Sequence, residues 1–280
     1  MYLVTGATGN VGSEVARQLL SKGHSVRVFT RDAAKLADLG GEVEVAIGDF
    51  TSPETFVPAV SGVDGVFIMN GPLDGGLFRQ LIIAAKAQGN PRAVFLSSIF
   101  AGFPESLIGQ LHKDKEDVIR ASGLPGTAVR AGGFMTNAYQ WLGSIKAEGV
   151  VYNAMGSGKT APIAAEDIAA VAVHALTEPG PIPEILEVTG GELFTTAEQV
   201  EILAKALGKA IRCVDVPAQA AVEGMIRVGT PAPVAAAVAQ SFEIIREGRA
   251  AMVYDTVERV TGRRPRSFES WAQEYAERFV

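Results

Sequence analysis

The chain is poor in the residues on which several large classes of protein depend. Cys213 is its one cysteine, and three histidines are spread over 280 residues. A single cysteine excludes an internal disulfide framework and is typical of a reducing compartment, so we expect a cytoplasmic protein. No pair of histidines or cysteines has the spacing of metal ligands, and we therefore expect no metal site.

Basic runs and long apolar runs are also missing. The formal net charge is −6, and without a basic cluster the sequence argues against nucleic-acid binding. No apolar stretch reaches the length of a membrane span. The N-terminus begins with a strand-like segment and lacks the charged and apolar regions of a signal peptide. A Gly-x-Ser-x-Gly elbow, which would favour a hydrolase, is absent as well. The expected partner is therefore a small molecule.

The most informative segment lies at the N-terminus. Tyr2-Leu3-Val4 reads as a buried strand, and glycines follow at positions 6, 9 and 12 before an amphipathic helix. In a dinucleotide-binding turn the first glycine permits the sharp turn, the second admits the pyrophosphate, and the third lets the helix pack on the strand. The helix N-terminus then faces the phosphate charge. The alternative is a tight turn without a ligand. The predicted cofactor contacts are Gly6, Thr8, Gly9, Asn10, Val11 and Gly12.

The end of the second strand bears on the choice of cofactor. Residues 25–30 alternate in polarity and are followed by Arg31 and Asp32. A basic residue here accommodates the 2′-phosphate of NADP, whereas an acidic one holds the ribose hydroxyls of NAD. Asp32 precedes a predicted helix and suits an N-cap. The sequence therefore favours NADPH over NADH, with Arg31 at the 2′-phosphate.

Strands and helices alternate through the first half of the chain. This pattern predicts an α/β fold of the Rossmann type, in which a doubly wound parallel sheet has helices on both faces. After about residue 130 the alternation loosens. We expect a dinucleotide-binding domain over residues 1–153 and a smaller C-terminal α/β region over 154–280 that caps the substrate site, with some elements packing back on the sheet.

Ligands of such sheets bind beyond the carboxyl ends of the strands. The residues predicted to share that edge lie at the ends of six different strands, and they are the glycine turn, Arg31, Asp49, Asn70 to Pro72, Ser97 and Ser98, and 130–134. Asn70, Gly71 and Pro72 are expected beside the nicotinamide ribose, although a plain turn explains glycine and proline equally well.

Several motifs resemble the NmrA-like family of atypical short-chain dehydrogenases/reductases. Besides the glycine turn and Arg31, they are Gly48-Asp49-Phe50, the segment 116–130, Phe134-Met135-Thr136-Asn137, Asn153 to Gly158 and the tail 262–271. Within the family the chain is most similar to bacterial quinone and triphenylmethane-dye reductases, which use NADPH. The resemblance implies that Asp49 and Phe50 flank the adenine ring. The alternative for Asp49 is a capping carboxylate.

One departure from the larger superfamily concerns catalysis. That superfamily uses Tyr-x-x-x-Lys, with the tyrosine as proton donor. Here the tyrosine position holds Ile108 and the lysine position holds His112. The resemblance makes His112 and Ser97 the candidate catalytic residues. His112 either donates a proton or holds the nicotinamide ribose, and a surface histidine is the alternative. Ser97 is expected to orient the substrate or the nicotinamide amide.

The predicted function follows from these residues. Ser98, Phe100, Phe134 and Tyr139 are expected to line a pocket for a flat aromatic substrate, although the aromatic rings equally suit ordinary packing. We expect an NADPH-dependent oxidoreductase that passes hydride to a quinone or a similar conjugated aromatic molecule. The alternatives are a non-catalytic NAD(P)-sensing regulator and a tailoring enzyme for polycyclic aromatics. The sequence leaves open whether the chain forms a homodimer.

Overall fold

Seven parallel strands form the central sheet of the chain, whose computed structural model describes residues 1–69 and 75–279. The strands are β1 (Tyr2–Thr5), β2 (Val26–Thr30), β3 (Glu44–Ile47), β4 (Gly65–Ile68), β5 (Arg92–Ser98), β6 (Gly126–Ala131) and, after β7 (Val150–Asn153), β8 (Ile185–Val188). Their order is β3-β2-β1-β4-β5-β6-β8, and every neighbouring pair is parallel. The predicted Rossmann-type α/β class is confirmed.

Helices cover both faces of this sheet. On one face α1 (Asn10–Ser21) packs against α6 (Ala165–Thr177), which the chain reaches much later. The opposite face is covered by α2 (Phe56–Val60), α3 (Gly75–Ala87) and α4 (Leu107–Ser122). Because both faces are buried, the inner strands are mostly apolar, and all four residues of β4 are buried.

Residues at both ends fix the bounds of α4. The helix begins at Leu107 because the Ser106 hydroxyl accepts a hydrogen bond from the Gly109 N–H (3.1 Å) and so acts as an N-cap. It ends at Gly123, which has a φ of +69°. Ile108 and His112 therefore lie within α4, four residues apart on one side of the helix.

The C-terminal half contributes to the sheet and also builds a smaller unit. β8 and α6 complete the sheet, whereas β7 pairs in parallel with β9 (Arg212–Asp215). Around that pair lie α5 (Leu142–Glu148), α7 (Thr196–Leu207) and α11 (Phe268–Tyr275), which share an apolar cluster. The remaining helices are α8 (Ala218–Arg227), α9 (Ala232–Arg246) and α10 (Thr256–Thr261). The division at residue 153 stays a prediction.

The tail segment 262–271 is attached to α6 by ionic contacts. Asp167 is fully buried, and the Arg263 guanidinium lies 2.6 Å from its Oδ1. The backbone N–H of Arg266 donates to Oδ2 of Asp167 (2.7 Å), and the Arg266 side chain pairs with Glu166. These contacts give Arg263 and Arg266 of the tail a structural role.

Within residues 1–69 and 75–279, no helix combines the length and the apolar character that crossing a bilayer requires.

Candidate cofactor and active site

The glycine turn connects β1 to α1 with the geometry that a dinucleotide turn requires. Gly6 has a φ of +68°, a region that favours glycine, and its carbonyl accepts a hydrogen bond from the Gly9 N–H (2.9 Å). A Cβ on Gly12 would lie 2.2 Å from the Gly6 oxygen, so only glycine lets α1 approach the turn this closely. A Cβ on Gly9 would meet the Gly6 oxygen at 3.4 Å and, outside its two chain neighbours, no other described atom within 4 Å. The space above Gly9 is therefore open to a ligand.

The first turn of α1 supplies the donors for such a ligand. Among the described residues no side chain caps this helix, so its first N–H groups remain available to an anion. Thr8 and Asn10 are exposed beside them, and the Asn10 amide donates to the Thr136 hydroxyl (3.3 Å). Val11 differs from the other predicted contacts because its side chain is fully buried in the sheet core. Only the backbone of Val11 can reach a cofactor.

Arg31 and Asp49 extend from the ends of neighbouring strands. The Arg31 side chain is 81% exposed, and its Nη1 lies 3.8 Å from Oδ2 of Asp49. Asp32 accepts a hydrogen bond from the Ala34 N–H (3.0 Å) and caps a 3₁₀ turn over Ala33–Leu39. Its carboxylate therefore has the N-cap role considered for it, while Arg31 extends into solvent at the carboxyl edge of the sheet.

The Asp49 carboxylate forms hydrogen bonds within the turn that follows β3. It accepts from the Thr51 N–H (2.8 Å) and the Thr51 hydroxyl (2.9 Å), and these bonds, followed by the Arg31 charge, lower the pKa of Asp49. Phe50 is half-buried, and its ring packs on Phe29 with 5.1 Å between ring centroids. Asp49 thus closes a turn but does not cap the short helices that follow, so the structure does not support the capping alternative, and the expected adenine role stays a prediction.

Ser97 does not present a free hydroxyl. It is 3% exposed, and its Oγ donates to Oε1 of Glu116 on α4 (2.6 Å). Arg130 holds the same carboxylate through two bonds, from Nε to Oε1 (2.9 Å) and from Nη2 to Oε2 (2.7 Å). Since the Ser97 proton is committed to Glu116, this hydroxyl can only accept a hydrogen bond from a ligand.

The Ser98 hydroxyl acts as a cap instead. It accepts from the Phe100 N–H (3.2 Å) and caps the 3₁₀ turn Ile99–Gly102 that follows β5. Ser97 and Ser98 therefore lie together at the end of β5, as predicted, but each is engaged with the protein.

His112 is largely buried on α4, and its ring lies 5.9 Å from that of Phe95 on β5. Burial, followed by the nearby Lys115 charge, lowers the pKa of His112 from 6.5 to about 4, against the opposing effect of Glu116. Burial also lowers the pKa of Lys115, whose ammonium lies 5.8 Å from the centre of the Phe78 ring. His112 is thus a neutral imidazole at neutral pH, and the surface-histidine alternative does not describe it.

The predicted aromatic residues separate into different clusters. Phe100 packs with Phe103 (5.9 Å between ring centroids), against Ile244, Ile245 and Ala250 at the end of α9. Phe134 packs on the core of the sheet. Tyr139 joins the C-terminal aromatic cluster, 5.5 Å from the rings of both Trp271 and Phe279. The structure therefore does not bring Tyr139 together with Phe100.

Three predicted contacts cannot be placed. Asn70, Gly71 and Pro72, expected beside the nicotinamide ribose, lie outside the described residues.

The sequence did not reveal the contacts among the charged residues beneath this edge. Arg130 was predicted only to lie at the edge, Glu116 only as part of a segment that carries the family resemblance, and Glu187 and Tyr254 were not singled out. An arginine among Thr127, Ala128 and Val129 of a buried strand is a usable signal, because a charge in such a strand needs a buried partner.

Comparison with known proteins places the chain among NAD(P)H-binding proteins. A family model described as NAD(P)H-binding matches residues 6–179. The NAD(P)H azoreductase of Xenophilus azovorans is 36% identical, over 100% of this chain and 99% of its own length. The (4-alkanoyl-5-oxo-2,5-dihydrofuran-3-yl)methyl phosphate reductase of Streptomyces griseus subsp. griseus is 37% identical, again over 100% of this chain and 99% of its own.

Solved structures show the same fold. The quinone oxidoreductase QOR2 of Escherichia coli, complexed with NADPH, has a TM-score of 0.87 at 23% identity, covering 98% of this chain and 99% of that one. The Citrobacter sp. triphenylmethane reductase with NADP(H) has a TM-score of 0.84 at 24% identity, covering 99% and 100%. The negative transcriptional regulator Nmra has a TM-score of 0.74 at 16% identity, covering 99% and 95%. The resemblance inferred from the motifs is confirmed, and the chain belongs to the NAD(P)H-binding family.

Proposed function

We propose that this protein is an NADPH-dependent oxidoreductase that reduces a quinone, an azo compound or a similar conjugated aromatic molecule by hydride transfer. The observation that carries the proposal is the glycine turn, where the open space above Gly9 meets the uncapped N-terminus of α1. The substrate class is supported by the full-length similarity to an azoreductase and a second reductase.

The described residues fit a dinucleotide. The pyrophosphate would lie over Gly9, against the first N–H groups of α1. Arg31 would contact the 2′-phosphate, because its exposed guanidinium can bond a phosphate at two oxygens. Asp32 is engaged in capping and its carboxylate is less suited to hold the ribose hydroxyls of NADH. The exposure of Arg31 thus supports NADPH over NADH.

The substrate would lie at the carboxyl ends of β5 and β6. NADPH supplies the hydride when bound, and the protein supplies position and a dry surface. The partly exposed rings of Phe100 and Phe103 offer packing for a flat ring. His112, as a neutral imidazole, would donate its N–H as a hydrogen bond to hold the cofactor ribose. Ser97 would accept a hydrogen bond from the nicotinamide amide or from the substrate.

The experiment compares cofactor binding with cofactor consumption. Calorimetry of the purified protein should show tighter binding of NADPH than of NADH, and addition of a naphthoquinone or an azo dye should then cause steady loss of reduced nicotinamide absorbance. Binding without consumption, across both substrate types, would contradict the reductase and leave the NAD(P)-sensing regulator. A product heavier by oxygen would instead indicate the tailoring enzyme.

A further inference from the structure

A row of polar side chains crosses three neighbouring strands near their carboxyl ends. Ser97 of β5 lies beside Arg130 of β6, which lies beside Glu187 of β8. Arg130 reaches 3.9 Å from Glu187 while it holds Glu116 through two bonds. One guanidinium thus faces two carboxylates. This row of described residues thus holds one cation and two carboxylates, which leaves a net negative charge on the side of Glu187, whose side chain is 34% exposed.

Tyr254 lies next to Glu187 at this edge. Its backbone N–H donates to the hydroxyl of Thr189, the residue that follows β8 (2.9 Å), and its phenol donates to the Met252 sulfur (3.2 Å). Burial, and then the Glu187 carboxylate, raise the pKa of Tyr254, so the phenol stays protonated at neutral pH. The Met252 sulfur and the Glu187 carboxylate beside the phenol both accept hydrogen bonds, whereas the Arg130 guanidinium acts on the phenol through its charge and opposes the rise in pKa. The phenol proton is therefore already used within the protein. Tyr254 and Glu187 can only accept hydrogen bonds from a ligand.

The segment that carries Tyr254 begins beside the aromatic rings at the end of β5. The Arg249 guanidinium lies 5.2 Å from the Phe103 ring and pairs with Glu105 and Glu247, so its charge is compensated. Ala250 packs in the cluster of Phe100 and Phe103. From there the chain runs to the end of β8, two strand spacings from β5, or about 10 Å. A fused or linked pair of aromatic rings over β5 and β6 would reach Tyr254 with its far end.

We propose that Tyr254, with Glu187 beside it, determines which aromatic substrates the protein accepts. The pair selects rings that carry a hydrogen-bond donor, such as a phenolic hydroxyl or an aryl amine, at the end remote from the site of reduction. It rejects rings with a sulfonate or carboxylate at that end, because the anion would face the net negative charge on the side of Glu187. The role in substrate choice rests on the proposed function, whereas the binding preference does not.

The test measures binding of two matched probes, 2-naphthol and naphthalene-2-sulfonate, by calorimetry in the presence of NADP⁺. The unmodified protein should bind the naphthol at least tenfold more tightly. Glu187→Gln should reduce that preference by about tenfold, since it removes the charge and keeps the shape. Tyr254→Phe should weaken naphthol binding by about fivefold and leave sulfonate binding unchanged.

Glu184→Gln is the matched control. It makes the same change just before β8, at the opposite edge of the sheet, where Glu184 pairs with Arg120 (3.2 Å). This variant should keep the full preference. Absence of naphthol binding, tighter binding of the sulfonate, or an unchanged preference in both Glu187→Gln and Tyr254→Phe would overturn the proposal.

A parallel assay with 1,4-naphthoquinone and NADPH separates this inference from the proposed function. NADPH consumption together with an unchanged binding preference would overturn the role of Tyr254 alone. If the protein prefers the naphthol as expected but consumes no NADPH, the binding role of Tyr254 and Glu187 is supported and the proposed reductase activity is contradicted.

Discussion

Glu116 on α4 and Arg130 on β6 are joined inside the protein by two hydrogen bonds of 2.9 and 2.7 Å. Their side chains are 2% and 10% exposed. The pair connects the helix that carries His112 to the strands that end at the candidate site, and Ser97 adds a third bond to the same carboxylate. It fixes the positions of α4, β5 and β6 relative to one another.

Removal of the guanidinium should destabilise the fold strongly. Arg130→Met leaves the Glu116 charge buried without its cation, and we expect a loss of about 3–5 kcal/mol in the free energy of unfolding, measured by urea denaturation. Arg120→Met is the control, because Arg120 forms exposed pairs with Asp117 and Glu184 and should lose no more than roughly 1 kcal/mol. Equal losses in the two variants would show that the buried pair has no special role.

The buried imidazole predicts a pH dependence of stability. The pKa of His112 is about 4 in the folded protein against 6.5 for the free group, so the folded state binds fewer protons than the unfolded chain between these values. The contribution is fully present above pH 6.5 and is lost as the pH falls towards 4, by about 3 kcal/mol in all.

Urea denaturation at a series of pH values tests this prediction. His112→Gln should flatten the dependence across that window, whereas His174→Gln, on α6, makes the same change away from the site and should leave it in place. If stability depends on pH in the same way in the unmodified protein and in His112→Gln, the lowered pKa of His112 is not its cause.

The same pKa separates the two roles considered for His112. A neutral imidazole is a weak acid and cannot supply an imidazolium proton at neutral pH. Steady-state kinetics of His112→Ala should therefore show a raised KM for NADPH with kcat largely retained, which is the result of a lost binding contact. A fall in kcat of about 100-fold with an unchanged KM would identify His112 as the proton donor instead.

Cofactor choice should depend on Arg31. Arg31→Ala should weaken NADPH binding by about 1.5–3 kcal/mol, because a charge-assisted contact to the 2′-phosphate is lost, and leave NADH binding unchanged. Lys35→Ala is the matched control, since Lys35 is also exposed near this edge and lies 3.9 Å from Asp32. Calorimetry measures both. If the unmodified protein bound the two cofactors equally, the specificity assigned to Arg31 would be lost.

The sequence predicted the features that depend on local geometry. The glycine turn needs only its own residues, since positive φ at Gly6 and close approach at Gly12 follow from missing side chains. The parallel sheet follows from apolar strands that alternate with amphipathic helices. The Asp32 cap also depends on adjacent residues only.

The features that the sequence did not predict require residues from distant elements to meet. Glu116, Arg130 and Glu187 come together only after α4 packs beside β6 and β8 joins the sheet. Tyr139 follows the edge of the sheet in sequence, but its ring turns towards Trp271 of the C-terminal helix. Which way a ring points depends on what packs against it, and that information lies more than a hundred residues further along the chain.

The proposed reaction is hydride transfer from NADPH held at the glycine turn. A single-turnover experiment tests it most directly: protein loaded with one equivalent of NADPH is mixed with a naphthoquinone, and the absorbance of reduced nicotinamide is followed. We expect complete oxidation, slower when the transferred hydrogen at C4 is deuterium. Gly9→Val should stay folded yet show no enzyme-dependent oxidation, because its side chain fills the open space above the turn. Bound NADPH that stays reduced in the unmodified protein, or oxidation at the same rate with Gly9→Val, would contradict the account.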